Sequence, residues 1–359
     1  MRPAVSGATL IIAGANTQIT KRQTVYEVDF LPVEATDGEP STRNGDAITI
    51  HFTEDATGTE RVVVIDAGFE AVGDDVVEHV TRYYGTSHVD LAISTHPDRD
   101  HIEGMRTVVE KLDVAELMVH CPKLHASPRD VQQHFRDIAA VDDLIRSANA
   151  HGTRVAEPFT GESRFGGQLT ILGPAEGLYE TLLAEHLGEE RAGTMTRATA
   201  IAAGGLRDLF RSVAAWSRPA ETLAEDVETS ARKETSVVTL IRCDGQRLLF
   251  TGDAGLRGLG AAADRYESLL GPFESVPITL FQVPHHGDRH NLSPAVLDRL
   301  LGHRGQPHTP TLAVASSADD DPKHPSPMVA NALSRRGATL VATEGEPVWS
   351  NHGAPPRAG

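Results

Sequence analysis

The stretch Ser94-Thr95-His96-Pro97-Asp98-Arg99-Asp100-His101-Ile102-Glu103-Gly104 constrains this chain more than any other. It follows directly on His88-Val89-Asp90-Leu91-Ala92-Ile93, whose apolar alternation reads as a buried strand, and Ile102 to Leu112 reads as the helix after it. Two imidazoles and two carboxylates therefore fall within six positions on a tight strand-to-helix loop. Open α/β sheets bind ligands beyond the carboxyl ends of their strands, so all four side chains can turn to one point there. A single Asp or His in a turn is ordinarily solvated; four at this spacing behind a strand need another account. Carboxylate and imidazole together suit a divalent cation of borderline to hard character. The loop is expected to hold metal.

The rest of the chain reads as strands and helices that could carry such a loop. Thr24 to Leu31 and Asp46 to Phe52 alternate as strands, joined by a polar loop from Glu34 to Gly45. Arg61 to Ile65 is a continuous apolar run ending in Asp66-Ala67-Gly68, and Asp74 to Tyr84 is an amphipathic helix. A short strand, Glu116 to His120, a long helix, Pro128 to Ala150, and a strand, Leu169 to Leu172, follow. Strands return at Ser236 to Ile241 and Arg247 to Phe250, joined by the hairpin signal Asp244-Gly245. Then come helix Leu259 to Leu270, strand Ile278 to Val283, helix Pro294 to Leu301, strand Leu312 to Ala315, helix Pro327 to Arg336 and strand Thr339 to Val341. The domain plan is an N-terminal arm at 1–24, one domain at 25–345 with a helical insertion or lid at 175–232, and a loose tail at 346–359. Two packed sheets with helices outside suit this order.

Composition narrows the partners. A formal net charge of −17 gives no general attraction to long nucleic acid or to an anionic membrane. No apolar run approaches a membrane span, and no membrane partner is expected. Cys121 and Cys243 are the only cysteines and lie far apart, which argues against disulfides and thiolate zinc and fits a cytoplasmic protein. The basic residues of the insertion, Arg191, Arg197, Arg207 and Arg211, are offset by nearby acids and form no nucleic-acid stripe. The insertion remains a candidate surface for a protein partner.

Three further strand ends carry polar residues that a purely structural strand would not need: Asp66, Thr251-Gly252-Asp253, and Pro284-His285-His286-Gly287. Taken singly each reads as a turn or cap; together they can meet at one rim. With Asn44-Gly45-Asp46-Ala47 and Lys323-His324-Pro325-Ser326-Pro327, these stretches resemble a metallo-β-lactamase-fold hydrolase. Within that superfamily they are most similar to the nuclease-type domain of the DNA-uptake protein ComEC. The resemblance runs in order from about residue 25 to 345, apart from the insertion. It implies an α/β fold, the αββα metallo-β-lactamase sandwich with a helical insertion.

By position, the resemblance implies that His96 and Asp98 bind one metal, that Asp100 and His101 bind another, and that Asp253 bridges them. One of His285 and His286 completes the second site, with a slight preference for His285, and Asp66 orients a ligand from behind. Asp98 stands where the superfamily usually has His, and Lys233-Glu234-Thr235 replaces its usual His before the Ser-Val-Val strand. The expected cofactor is thus two divalent ions, zinc or manganese, with magnesium a further candidate because hard oxygen ligands are plentiful. Asp100 sits at the reacting centre, and Lys233 and His324 are candidates to contact phosphate or protonate the leaving oxygen. His120, His125, His134, His290, His303 and His308 read as ordinary surface or core histidines.

These expectations favour a phosphodiesterase or nuclease acting on nucleic acid or a nucleotide. Hydrolysis of another ester, lactone or amide is the alternative on the same scaffold, and a non-catalytic partner-binding effector subunit is the third class.

Overall fold

The computed structural model describes residues 26–34, 44–126, 135–196, 222–306, 309–354 and 357. The expected N-terminal arm, the amphipathic segment Leu206 to Trp216, His134, His308, Arg197, Arg207, Arg211 and Pro355-Pro356 lie outside them.

Alternation of apolar side chains builds the first sheet. In β2 (Ala47–Thr53), Ile48, Ile50 and Phe52 point to one face. In β3 (Glu60–Ala67), Val63 and Ile65 join that face while Val62 and Val64 point to the other, so this strand is buried on both sides. The sheet is completed by β1 (Tyr26–Phe30), β5 (Leu91–Ile93), β7 (Glu116–Met118), β8 (Arg154–Ala156) and β16 (Val348–His352), in the order β16-β1-β2-β3-β5-β7-β8. The second sheet contains β9 (Ser163–Arg164), β10 (Leu169–Gly173), β11 (Val238–Cys243), β12 (Gln246–Phe250), β13 (Leu280–Gln282), β14 (Thr311–Ala315) and β15 (Ala338–Ala342), in the order β15-β14-β13-β12-β11-β10-β9.

Three cores separate four layers. Val28, Phe30, Ile50 and Ile65 meet Ile171, Ile241, Leu248 and Phe250 between the sheets. Outside the first sheet, α1 (Val72–Tyr83), α2 (Arg99–Lys111) and, after the short turn α3 (Pro122–His125), α4 (Phe135–Ala150) supply Val76, Val80, Met105, Val108 and Leu144. Outside the second, α7 (Leu256–Leu270), α8 (Pro294–Leu301) and α9 (Pro327–Ser334) supply Leu259, Tyr266, Leu297 and Val329. The αββα sandwich is therefore present, and the long helix α5 (Glu176–Thr196) begins the segment expected at 175–232.

Several expectations are corrected. The run His88 to Ile93 is two short strands, β4 (His88–Val89) and β5. β4 pairs with β6 (Asp113–Val114) outside the main sheet. Asp90 breaks the run because its carboxylate accepts from Val62 N at 2.9 Å and Arg61 Nη1 at 2.7 Å. Helix α2 starts at Arg99 instead of Ile102, so Asp100 and His101 occupy its first turn. Val348–His352, expected as loose tail, is an edge strand antiparallel to β1. Its aromatic and polar residues gave no long apolar run, and only pairing with β1 makes it a strand.

Candidate metal centre

Parallel pairing sets the site. β3 runs parallel to β5, and β12 to β13 and β14, so their carboxyl ends gather at one rim of the sandwich. β2 enters at that rim, since Ala47 pairs with Ala67. Backbone bonds tie the ends together: Val237 N to Thr95 O (3.1 Å), Asp46 N to Asp100 O (3.2 Å) and His285 N to Gly252 O (3.1 Å). Glycine is required at two of these joints. A Cβ on Gly104 would lie 2.0 Å from Ala67 O. One on Gly252, whose φ is +50°, would lie 2.9 Å from Thr95 Oγ1.

At the back of the rim, Asp66 is fully buried at φ 54°, a costly conformation for a residue with a Cβ. Its carboxylate accepts from Thr95 N (2.8 Å) and Thr95 Oγ1 (2.6 Å), and it receives His101 Nδ1 at 2.8 Å. The Thr95 hydroxyl proton is thereby used, so that oxygen accepts from His96 Nδ1 at 3.0 Å. Both imidazoles then carry their proton on Nδ1 and present the Nε2 lone pair to the rim.

Asp98 occupies the N-cap position of α2 but makes no capping bond; its carboxylate turns to the rim instead. His96 Nε2 lies 3.6 Å from Asp98 Oδ2 and 3.5 Å from Asp253 Oδ2. His101 Nε2 lies 3.4 Å from Asp253 Oδ1 and 3.8 Å from Asp100 Oδ2. The turn Pro284–Gly287 holds His285 and His286 at consecutive positive φ, 50° and 57°. His286 Nε2 lies 3.8 Å from Asp100 Oδ2 and 3.9 Å from Asp253 Oδ1. His285 goes to the other side, 3.7 Å from Asp253 Oδ2, with Nδ1 bonded to Asn291 Oδ1 at 2.9 Å. In this arrangement His286, and not the slightly preferred His285, lies with Asp100 and His101. Adjacent histidines in a sharp turn point apart, and the sequence carried no sign of which way.

The donors fit a cation. His96 Nε2, His101 Nε2, His286 Nε2 and Asp253 Oδ1 are buried without a hydrogen-bond partner. Buried polar atoms are seldom left so, and a divalent cation between them would satisfy all four. Tetrahedral ligands about 2.0–2.1 Å from zinc stand roughly 3.4 Å apart, close to the spacings above. The carboxylates attract positive charge of either kind, so a proton and a metal ion compete for His96 Nε2. Burial and His101 press the His96 imidazole down, but Asp98 and Asp253 raise it to about 9. Burial also opposes the charge on Asp253, yet Lys233, His285, His101 and His96 hold it well below the carboxylate range. Asp100 is likewise lowered against burial, by His286 and His101.

The remaining predicted residues are placed as follows. Lys233 is no surface lysine: Nζ lies 3.0 Å from Asp253 Oδ2 and touches His285 Nε2. His324 stands on the cleft wall with Nδ1 2.6 Å from Asp321 Oδ2 and Nε2 3.2 Å from Asp288 Oδ2. Burial lowers its pKa, but these two carboxylates leave it raised. An open cleft of about 780 Å³ runs over the donors and is lined by Asp98, Asp100, Arg232, His285, His286 and His324 among others.

Sequence reading missed Arg232, which is bound to Asp98 through Nε (2.7 Å) and Nη2 (3.3 Å). It also missed Asp46, whose carboxyl accepts from Gln282 Nε2 (2.8 Å) and is raised chiefly by burial. Asn44-Gly45-Asp46 before a strand was the available signal. Asn44 reaches Asp321 at 2.6 Å, and so helps to set His324.

Among the histidines expected to be ordinary, His125, His290 and His303 pair with acids. His120 is buried with both ring nitrogens unpartnered, stacked on Tyr179 at 4.2 Å, and burial then His125 lower it to about 3. It lines a cavity of about 40 Å³ behind the metal loop. Among the described residues, no helix is long and apolar enough to cross a membrane.

No protein-family model and no curated protein matches the chain. The crystal structure of the metallo-beta-lactamase fold protein YhfI from Bacillus subtilis is similar at a TM-score of 0.42 and 9% sequence identity, over 91% of this chain and 100% of that one. By its own topology and side chains, the chain is an α/β sandwich with a buried cluster of imidazoles and carboxylates at one rim that could hold a divalent metal.

Proposed function

We propose that this protein is a metal-dependent hydrolase of phosphodiesters, acting on a nucleotide or a short nucleic acid. The observation that carries the reading is the set of buried, unpartnered donors converging on Asp253 beneath an open cleft. Asp100, His101, His286 and Asp253 would hold a cation there, and His96 lies within ligand distance of His101 and Asp253. Such an ion supplies Lewis acidity and lowers the pKa of water towards neutrality. Asp66 keeps His101 in the tautomer that offers Nε2.

Phosphodiesters are favoured over lactones or carboxylic esters by the charge around the cleft. Arg232, Lys233 and His324, whose charged form its two carboxylate partners favour, surround the donor cluster and suit non-bridging phosphate oxygens. His324 has both ring nitrogens committed to carboxylates, so it offers fixed charge in preference to a loosely held proton. The net charge of −17 favours a small or short substrate over long duplex DNA. A non-catalytic effector would have no use for unsatisfied donors this deep.

The test is turnover of bis-p-nitrophenyl phosphate, single- and double-stranded oligonucleotides and a lactone, each with Mn²⁺, Mg²⁺ or Zn²⁺. We expect metal-dependent phosphodiester cleavage. Turnover of the lactone alone would move the function to the ester class, and no turnover of any substrate would favour an effector.

A further inference from the structure

The two halves of the rim cluster differ in what already neutralises them. Around His101 and His286, Asp253 Oδ1 and both Nε2 atoms have no partner. Around Asp98 and His285, tethered cations are in place. The Arg232 guanidinium sits on Asp98, and Lys233 Nζ lies between Asp253 Oδ2 and His285 Nε2. Both come from one short turn, α6 (Ala231–Glu234).

That turn is anchored. Glu234 is buried, and its carboxylate accepts from the backbone N–H groups of Gly255 (3.2 Å), Arg257 (3.3 Å) and Gly258 (2.8 Å) at the start of α7. The two cations are thus held where they stand by a third residue that never reaches the rim.

Building on the metal reading above, we propose that the centre holds one tightly bound divalent cation, on the donors around His101 and Asp253 Oδ1, and that Arg232 and Lys233 stand in for the second cation of a two-ion site. An ammonium 3.0 Å from Asp253 Oδ2 competes directly for the lone pairs a second ion would need. A divalent ion placed beside two fixed positive charges also meets like-charge repulsion in a buried setting. His96 Nε2, unpartnered in the neutralised half, remains within ligand distance of His101 and Asp253, so one ion can draw on it. The substrate consequence is that a phosphate would meet one ion and two side-chain cations.

Metal stoichiometry decides this. The full chain is stripped with chelator, titrated with Mn²⁺ or Zn²⁺ and read by native mass spectrometry and by elemental analysis after desalting. We expect one equivalent in the wild type, with any second equivalent weaker by on the order of 100-fold or more. Lys233→His, which removes the charge and restores a nitrogen donor beside His96, Asp98, Asp253 and His285, should take up two. Two equivalents of similar affinity in the wild type would overturn the proposal, as would a folded Lys233→His that still takes one. The wild-type titration stands even if the variant fails to fold. If the wild type binds none, the metal reading itself falls, an outcome distinct from binding two.

Discussion

Two buried acidic groups in this molecule, Asp29 and Asp253, are equally withdrawn from water yet lead opposite lives. Asp29 on β1 receives Arg357 on both oxygens (2.5 and 2.8 Å) and the Tyr84 hydroxyl at 2.7 Å, with His79 Nε2 3.1 Å away. Every lone pair it needs to place is placed by the protein. Asp253 has a protein donor on one oxygen only, and the atoms around the other are lone pairs as unpartnered as itself. The desolvation cost is paid internally in the first case and awaits an external cation in the second. Burial of charge alone therefore marks nothing; several incompletely paired groups converging on one point mark the site.

The largest effect that would break or sharpen this contrast is expected from Asp253→Asn. It should lose metal affinity by more than the roughly 100-fold typical of changing an outer residue, and turnover should fall to background. Asp29→Asn should keep both. Metal content and turnover measured on the pair would erase the distinction if the two variants behaved alike.

Next comes Arg357→Ala, which leaves Asp29 without its main partner. It should cost roughly 3 kcal/mol in urea unfolding, the low end for breaking a buried pair because the guanidinium keeps some exposure. Its metal content should stay that of the wild type. A smaller effect is expected from Asp66→Asn, which weakens the hold on His101. Metal affinity should drop about 10- to 100-fold with the fold intact, as read by isothermal titration and near-ultraviolet circular dichroism.

The smallest effect is a pH dependence. Burial raises the Asp29 carboxyl, but His79, Arg357 and Tyr84 together leave it below its ordinary value of 3.8. A depressed carboxylate contributes its stability above the unfolded value and loses it as pH falls through the folded one. Arg357 also holds Glu27, whose ordinary value is 4.5, so the difference between wild type and Arg357→Ala should hold at neutral pH and shrink below about pH 4.5 as first Glu27 and then Asp29 take up protons. A difference that grew on acidification would mean that neither is the carboxylate stabilised.

Much of the molecule was legible beforehand because local physics determines it. β-branched runs with period two made strands, Asp244-Gly245 made a hairpin with both residues at positive φ, and Pro294 to Leu301 was a helix end to end. Strand ends carrying Asp66, His96, Asp253 and His286 foretold a rim because parallel strands must deliver their ends to one side.

What local chemistry could not decide was pairing between distant segments. Whether Val348–His352 is tail or strand depends on β1, more than 300 residues earlier in the chain, and whether Arg357 is loose or anchored depends on Asp29. Which way His285 and His286 point depends on Asn291 and Asp100, and whether Lys233 meets solvent or Asp253 depends on Glu234 seating its turn on α7. The residue types able to bind metal are written in the chain; which of them the fold has already neutralised is settled only when remote charges are brought within about 3 Å, where Coulomb energy outweighs any local preference.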